Sequence, residues 1–319
     1  MTRRRLRALA IAGGIALALG VGPRARAGVP AGAQYAGSML CTACHKGTHP
    51  QQVSGWAASA HAHAIWKAGE GGEGVRIVAD FSKSPPFAQD KASYVLGVGR
   101  RQQAFLDANL SVLPGRWTVK DKAWGPQGVV DARSDCLGCH TTGYDPAAAT
   151  WKELGVGCEM CHGPGSTHAG SADKKATIVN LTGLDPAHQA MVCGQCHSKG
   201  TSKDGKYTFP AGFRPGDELD QFFTLSTDSA TWTQNAQYNQ LLLGGGKHLA
   251  AGVVCTTCHD PHGTSQWLLR GPINDLCLKC HQGKLTGAQH GEQVLKTVTC
   301  SACHMPGGSH VFVVKKATS

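Results

Sequence analysis

The cysteines are the residues with the clearest chemistry, and all 14 of them lie in copies of one pattern, C-x-x-C-H. The pattern occurs seven times, always with a histidine directly after the second cysteine. This spacing is the attachment signal for c-type haem, in which two thiols bond to the porphyrin and the histidine gives the iron its proximal nitrogen. Zinc sites and redox dithiols need no histidine there, and zinc ribbons use cysteine pairs two at a time. The sequence therefore predicts seven covalent haems.

Each motif supplies two cysteines for covalent attachment and one histidine as the proximal iron ligand. In chain order the motifs are Cys41, Cys44 and His45; Cys136, Cys139 and His140; Cys158, Cys161 and His162; Cys193, Cys196 and His197; Cys255, Cys258 and His259; Cys277, Cys280 and His281; and Cys300, Cys303 and His304. They are numbered here as motifs 1 to 7, and the haem expected at each takes the same number.

Nine further histidines are candidates for the opposite, distal face of an iron, and seven bis-histidine irons would need seven of them. They are His49, His61, His63, His168, His188, His248, His262, His290 and His310. His262 follows the proximal His259 by only three residues and cannot reach the other face of the same ring, so we expect it to ligate a neighbouring haem. His168 and His310 each follow a proximal histidine by six residues and support the same inference more loosely.

Two pairs of candidates are constrained by helical geometry. His61 and His63 diverge on a helix, so we expect only one of them to face an iron. His49 shares a helical face with His45, so we expect it to flank haem 1, with ligation as the alternative. A thioether from Met39, Met160, Met191 or Met305 is the non-histidine alternative, although packing is the commoner role of methionine.

The first 27 residues have the pattern of a secretory signal peptide. Arg3, Arg4, Arg5 and Arg7 precede an apolar stretch from Ala8 to Val21, and Ala25-Arg26-Ala27 forms a cleavage site before Gly28. The apolar stretch is short for a membrane span. We therefore expect export and cleavage, and a periplasmic or extracellular protein without an integral membrane span. An uncleaved anchor is the alternative.

The formal charge of +10 does not indicate nucleic-acid binding. Six of the 31 basic residues lie in the predicted signal, so the mature chain is near 10 − 6 = +4 before any haem propionates are added. No nucleic-acid-binding motif is present either.

A mainly α fold with extensive loops, organised around a stacked chain of haems, is the expected architecture. Aromatic residues make up 6% of the chain and it has 42 glycines, which favours a poor protein-only core filled out by porphyrin. Short helices are expected after many motifs. Residues 71–135 lack cysteine, and β-branched and aromatic runs at 75–78, 93–98 and 116–119 predict a small β element. A further strand is predicted at Val311–Val314.

Motif spacing predicts two haem modules. Residues 28–200 would hold haems 1–4 with the β insertion, and residues 246–319 would hold haems 5–7. The Gly-, Ser- and Thr-rich segment 201–245 is predicted to be linker-like.

Several motifs resemble multihaem c-type cytochromes related to the tetrahaem cytochrome of nitrifying bacteria. The similar stretches are Gly37-Ser38 before Cys41 with Trp56 and Ser59-Ala60-His61-Ala62; Cys158 to His168; and Lys247-His248 before Cys255, followed by Cys258 to Gly263. Cys255 to His281 is similar to the doubled CXXCH module, and Cys300 to Pro306 followed by His310 resembles the usual last haem.

The resemblance implies six distal ligands, namely His61, His168, His248, His262, His290 and His310. No motif supports a seventh. We assign His188, which precedes motif 4 by five residues, and leave His63, His49, a methionine or no ligand as alternatives.

These features predict an electron carrier that connects donor and acceptor redox proteins through mostly bis-histidine haems. The first alternative is an oxidoreductase with one open haem that acts on a small nitrogen or sulfur oxyanion. The C-x-x-C-K motif of some related enzymes is absent, which weighs against it. The second alternative is self-association into a polymeric cytochrome, in which a spare histidine ligates a haem of the next subunit.

Overall fold

The computed structural model describes residues 29–71, 75–232, 235–282, 285 and 290–314. The predicted signal peptide, residues 1–27, lies outside these ranges. Among the described residues, no helix combines the length and the apolar character that crossing a membrane requires.

Short helices connected by loops make up most of the described chain. They are α1 (Ser38–Thr48), α2 (Pro50–Ala57), α3 (Ala132–Asp135), α4 (Leu137–His140), α5 (Cys158–His162), α6 (Ser166–Gly170), α7 (Pro186–Gly194), α8 (Gln237–Leu243), α9 (Lys247–Ala250), α10 (Cys255–Cys258), α11 (Ile273–His281), α12 (Glu292–Thr297) and α13 (Cys300–His304). Single 3-10 turns lie at Gln89–Lys91, Leu181–Gly183, Leu219–Gln221, Ser229–Thr231, Gln266–Leu268 and Pro306–Gly308.

The C-x-x-C-H motifs lie on or at the ends of these helices. Motif 1 lies within α1, motif 3 forms α5, and motif 7 forms α13. One helical turn brings residues i and i+3 to the same face, which is the arrangement that two thiols on one porphyrin edge require. Helices follow motifs 1 and 3, as α2 and α6 do, and further helices contain motif residues themselves. The predicted fold class, mainly helices and loops with small sheets, is confirmed.

A five-stranded antiparallel sheet separates motif 1 from motif 2. Its strands, in spatial and chain order, are β1 (Ile65–Lys67), β2 (Tyr94–Leu96), β3 (Gln102–Leu106), β4 (Arg116–Thr118) and β5 (Ala123–Gly125). Phe81, Phe87, Phe105 and Trp124 contact one another mainly edge to face beneath it. Two-stranded sheets pair β6 (Thr141–Thr142) with β7 (Glu153–Leu154), and β8 (Gly200–Ser202) with β9 (Phe223–Leu225).

Two predicted strands are wrong, because side chains satisfy their backbone groups instead of a neighbouring strand. Residues 75–78 are irregular. The buried amide of Gln103 accepts from the N–H of Val78 at 2.8 Å and donates to the carbonyl of Arg76 at 2.9 Å. Val311–Val314 is also irregular. There the carbonyl of Val313 accepts from Nδ1 of His304 at 2.7 Å, and its N–H donates to the carbonyl of His304 at 3.0 Å.

The segment 201–245, whose composition predicts a linker, contributes to a buried cluster. Phe213, Leu219, Phe223 and Tyr238 pack around Ala190 of α7. The aromatic residues of this segment bury enough apolar surface to hold it against the helix that leads into motif 4.

Candidate functional site

Six of the seven motif histidines face a second histidine from another part of the chain. The ring-centroid distances are 6.1 Å for His45–His168, 6.2 Å for His162–His262, 6.2 Å for His197–His61, 6.1 Å for His259–His310, 6.0 Å for His281–His248 and 6.1 Å for His304–His290. A metal bonded to one nitrogen of each imidazole, at about 2 Å, would hold the two centroids about 6 Å apart. The six facing pairs therefore fit an iron between the rings.

Hydrogen bonds to backbone carbonyls fix the tautomer of four motif histidines. In each case the ring Nδ1–H donates to a carbonyl oxygen: His140 to Ala64 at 2.9 Å, His162 to Val179 at 2.8 Å, His259 to Trp267 at 2.8 Å, and His304 to Val313 at 2.7 Å. Because a carbonyl oxygen only accepts, Nδ1 must carry the proton in each of these rings. Nε2 is then left with the lone pair that a metal needs.

Burial keeps several of these imidazoles in the neutral, ligating form. It lowers the pKa of His61 and of His310 to about 4, and in each case the facing histidine adds a smaller effect in the same direction. Burial likewise lowers the pKa of His140, His162 and His197. Neutral rings of this kind present a nitrogen to a metal at physiological pH.

The cysteines of different motifs lie against one another and define how the motifs are arranged. Thiol hydrogen bonds join Cys41 with Cys158, Cys139 with Cys196, Cys193 with Cys255, and Cys277 with Cys300. Gln195 of motif 4 donates to the Met160 carbonyl of motif 3 at 2.8 Å. His248, which precedes motif 5, faces His281 of motif 6. The motifs are thus neighbours in the order 1, 3, 4, 5, 6, 7, and motif 2 adjoins motif 4.

A buried carboxylate holds together the two segments that carry His45 and His168. Glu159, inside motif 3, is 1% exposed and accepts from the backbone N–H groups of Ala36, Gly37 and Gly165, each at 2.7 Å. Ala36 and Gly37 lead into α1, and Gly165 precedes α6. A single side chain therefore positions both members of this facing pair.

Motif 2 differs from the other six. His140 is buried and hydrogen-bonded through Nδ1, but no ring of another histidine faces it, although all 16 histidines lie among the described residues.

His188, assigned from the sequence as the seventh distal ligand, makes its ring contacts with two carboxylates. It is 4% exposed in α7, with Nδ1 2.8 Å from the carboxylate of Asp185 and Nε2 2.9 Å from Oε1 of Glu218. Both ring nitrogens are engaged by carboxylates, so neither is available to a metal. Asp185-Pro186 is a helix-start pattern, and Asp185 also caps the N–H of His188 at 3.1 Å. The Asp185-Pro186 pattern is thus a sequence signal that His188 lies in the capped first turn of a helix.

His63, His49 and two of the methionines, which are further candidates for the seventh ligand, make contacts elsewhere. Nε2 of His63 lies 2.9 Å from the carbonyl of Ala57, and Nδ1 of His49 lies 3.1 Å from Nδ1 of His45. Met39 is exposed, and Met191 packs on the buried cluster around Ala190.

Two family models match parts of the chain. Residues 247–286 match the doubled CXXCH motif, and residues 116–163 match cytochrome c554 and c-prime. Over these two stretches the chain is similar to multihaem c-type cytochromes, and its repeated C-x-x-C-H motifs agree with that similarity.

Individual relatives are similar at low identity. Cytochrome c-554 of Nitrosomonas europaea is 24% identical over 234 residues, which cover 67% of this chain and 79% of that protein. The cytochrome c nitrite reductase subunit NrfA of Nitratidesulfovibrio vulgaris is 26% identical over 181 residues, which cover 42% of this chain and only 34% of NrfA. Among solved structures, the outer cell wall cytochrome OcwA superposes with a TM-score of 0.67 at 21% identity, covering 87% of this chain and 79% of OcwA.

Proposed function

We propose that the chain is an exported heptahaem cytochrome that carries electrons between redox partner proteins. The observation that carries the proposal is the set of six facing imidazole pairs, each 6.0 to 6.2 Å between centroids. When bound, the haems supply the one-electron redox chemistry. The protein contributes attachment, ligation and the fixed orientation of each imidazole.

Each residue of this proposal has a stated role. The 14 motif cysteines attach the haems, and the seven motif histidines are the proximal ligands. The distal ligands are His168 at haem 1, His262 at haem 3, His61 at haem 4, His310 at haem 5, His248 at haem 6 and His290 at haem 7. His262, His168 and His310 each face a histidine of a motif other than the one they follow, as their short sequence separations require.

Partner proteins would exchange electrons at the two ends of the motif order. Cys44 of motif 1, Cys280 of motif 6 and Cys303 of motif 7 are exposed, whereas the cysteines of motifs 3 and 4 are half-buried. The exposed Met39 and Leu40 flank motif 1, and the exposed Val298 precedes motif 7. Apolar surface beside an exposed haem edge suits transient docking of a redox partner.

The direct experiment combines a haem count with a redox titration of the purified holoprotein. Mass spectrometry should give seven attached haems per chain, and electron paramagnetic resonance during the titration should give six low-spin ferric centres. Fewer attached haems would contradict the count. Several high-spin centres would contradict the assigned pairs.

The proposed export depends on residues 1–27 acting as a signal peptide. Amino-terminal sequencing of protein from the periplasm or culture medium should begin at Gly28. Protein retained in the cytoplasm, or one beginning at Met1, would contradict cleavage.

A second candidate function is favoured by motif 2. No described histidine faces His140, so the iron held there would have a coordination position for a small ligand, and one matched relative carries the name of a nitrite reductase. We propose a nitrogen or sulfur oxyanion as the ligand class. One molecule of cyanide, or of nitrite, per chain should bind and remove a single high-spin signal. A wholly low-spin protein that binds neither would leave only the carrier function.

A further inference from the structure

The proximal histidine of motif 1 has a different hydrogen-bond partner from four of its counterparts, and only His197, whose Nδ1 lies 3.3 Å from Oε1 of Gln237, also shows a side-chain partner among the described motif histidines. His140, His162, His259 and His304 donate Nδ1–H to backbone carbonyls. Nδ1 of His45 instead lies 3.1 Å from Nδ1 of a second imidazole, that of His49, with the ring centroids 5.1 Å apart. At this motif the acceptor is a side chain, which a mutation can remove.

His49 is held at this place by the backbone on both sides. It ends α1, where its N–H donates to the carbonyl of His45 at 2.7 Å, and it precedes Pro50 at the start of α2. The hydroxyl of Thr48 lies 2.8 Å from Nδ1 of His49 and 3.5 Å from Nδ1 of His45, so when Nδ1 of His49 accepts, the hydroxyl can only donate to it and shares its single lone pair. His168 occupies the position across from the His45 ring, so His49 contacts the edge of that ring rather than a metal on its far side.

The protonation of the two rings follows from ligation. When Nε2 of His45 bonds to iron, the neutral imidazole carries its proton on Nδ1. Two nitrogens 3.1 Å apart share a hydrogen bond only if one donates and the other accepts, so Nδ1 of His49 must accept. We propose that His49 is a positioning residue for His45, which accepts its Nδ1–H, orients the ring toward His168 and increases its basicity as an iron ligand. This inference rests on the proposed haem at motif 1.

The functional consequence concerns one end of the motif order. Motif 1 carries the exposed Cys44 and lies next to motif 3 through Cys41 and Cys158. An acceptor on the imidazole N–H makes the ligand a stronger donor and stabilises ferric iron, which lowers the reduction potential. His49 would thus hold the terminal haem at a lower potential than an unsupported imidazole would.

The test compares His49→Phe, which keeps a ring without nitrogen, with His49→Gln, which restores an acceptor oxygen. Redox titration of each holoprotein, followed by electron paramagnetic resonance, should show one component moved to higher potential with altered g-values in His49→Phe. His49→Gln should return it toward the original value. Gln51→Ala, an exposed change on α2, should leave every component unchanged.

Each contrary result has a separate meaning. Unchanged potentials and g-values in His49→Phe would overturn the positioning role. A new high-spin haem in that variant would show that His49 is itself a ligand, and would also overturn it. If His49→Phe does not mature, His49→Leu decides by the same readouts. Absence of haem at the motif 1 peptide of the unmodified protein, found by mass spectrometry, would instead refute the proposed function.

Discussion

Replacement of Gly55 by alanine is expected to open one iron coordination site. In α2 the backbone at Gly55 approaches the loop after motif 5 so closely that a Cβ would lie 1.8 Å from the carbonyl oxygen of His262. Real Cβ atoms essentially never come within 3.0 Å of another heavy atom, so Gly55→Ala requires a movement of at least 3.0 − 1.8 = 1.2 Å. The contact is with backbone, which cannot rotate away as a flexible side chain would.

This movement acts directly on a proposed distal ligand. His262 faces His162 at 6.2 Å between centroids. A metal–nitrogen bond of about 2 Å cannot lengthen by more than half and remain a bond. Overpacking of this kind costs about 1 to 3 kcal/mol, a cost that loss of a single axial ligand would relieve. We therefore expect haem 3 to become high-spin. If α2 moves instead, His61 at haem 4 is displaced, because it follows α2 directly.

Electron paramagnetic resonance of the oxidised holoprotein measures this effect. Gly55→Ala should convert one low-spin centre to high-spin without loss of any attached haem. Gly47→Ala in α1 is the matched control, because a Cβ there meets no atom within 4 Å, and it should keep the original spectrum. If Gly55→Ala keeps the original number of low-spin centres, the close contact between Gly55 and the carbonyl of His262 does not position His262.

Three further changes test the fold and the ligand assignment. Glu159→Gln should lower the free energy of unfolding by about 1 to 3 kcal/mol in denaturant titrations, since it weakens charged hydrogen bonds to buried N–H groups. Glu70→Gln, which removes only an exposed ion pair with Lys67, should cost less than about 1 kcal/mol. Phe105→Ala, at a side chain with 0% exposure, should cost about 3 to 5 kcal/mol in the same assay and leave all haems attached. His188→Gln should leave the number of low-spin ferric centres unchanged in electron paramagnetic resonance. Loss of one low-spin centre would show that His188 is a distal ligand.

The sequence makes its most specific predictions for residues whose proposed role depends on local spacing. C-x-x-C-H needs only one helical turn, so the proposed attachment and proximal residues come from the pattern itself. The expectation that His262 serves another motif also rests on local spacing, because three residues cannot carry it around its own ring, and the structure places it opposite His162. In contrast, His61 and His197 are 197 − 61 = 136 residues apart, and no periodicity connects them. Their pairing depends on how α2 packs.

Side-chain hydrogen bonds explain the strand prediction at residues 75–78 that was wrong, and they also set the surroundings of His188, whose predicted ligation stays a prediction. Residues 75–78 have β propensity, but the side-chain amide of Gln103 takes the place of a strand partner, since it hydrogen-bonds to the N–H of Val78 and the carbonyl of Arg76. His188 lies near motif 4 in sequence, but a capped first turn directs it to Asp185 and Glu218. Hydrogen bonds made by a single buried side chain leave no periodic signal, so pattern reasoning does not detect them.

The facing pairs also explain how so loop-rich a chain can hold a fixed shape. Four of them join segments about 50 to 140 residues apart, as His45 does with His168 and His259 with His310. Closing such long loops is entropically unfavourable, and a cross-link that closes a long loop stabilises the fold accordingly. The apolar clusters are separate from one another. Because metal binding and folding are coupled, iron ligation across the facing pairs would connect distant segments of the chain in addition to these clusters. Attachment at each motif needs only local structure, whereas closure of each pair needs two distant segments, so we expect the cross-links to form only when those segments have come together.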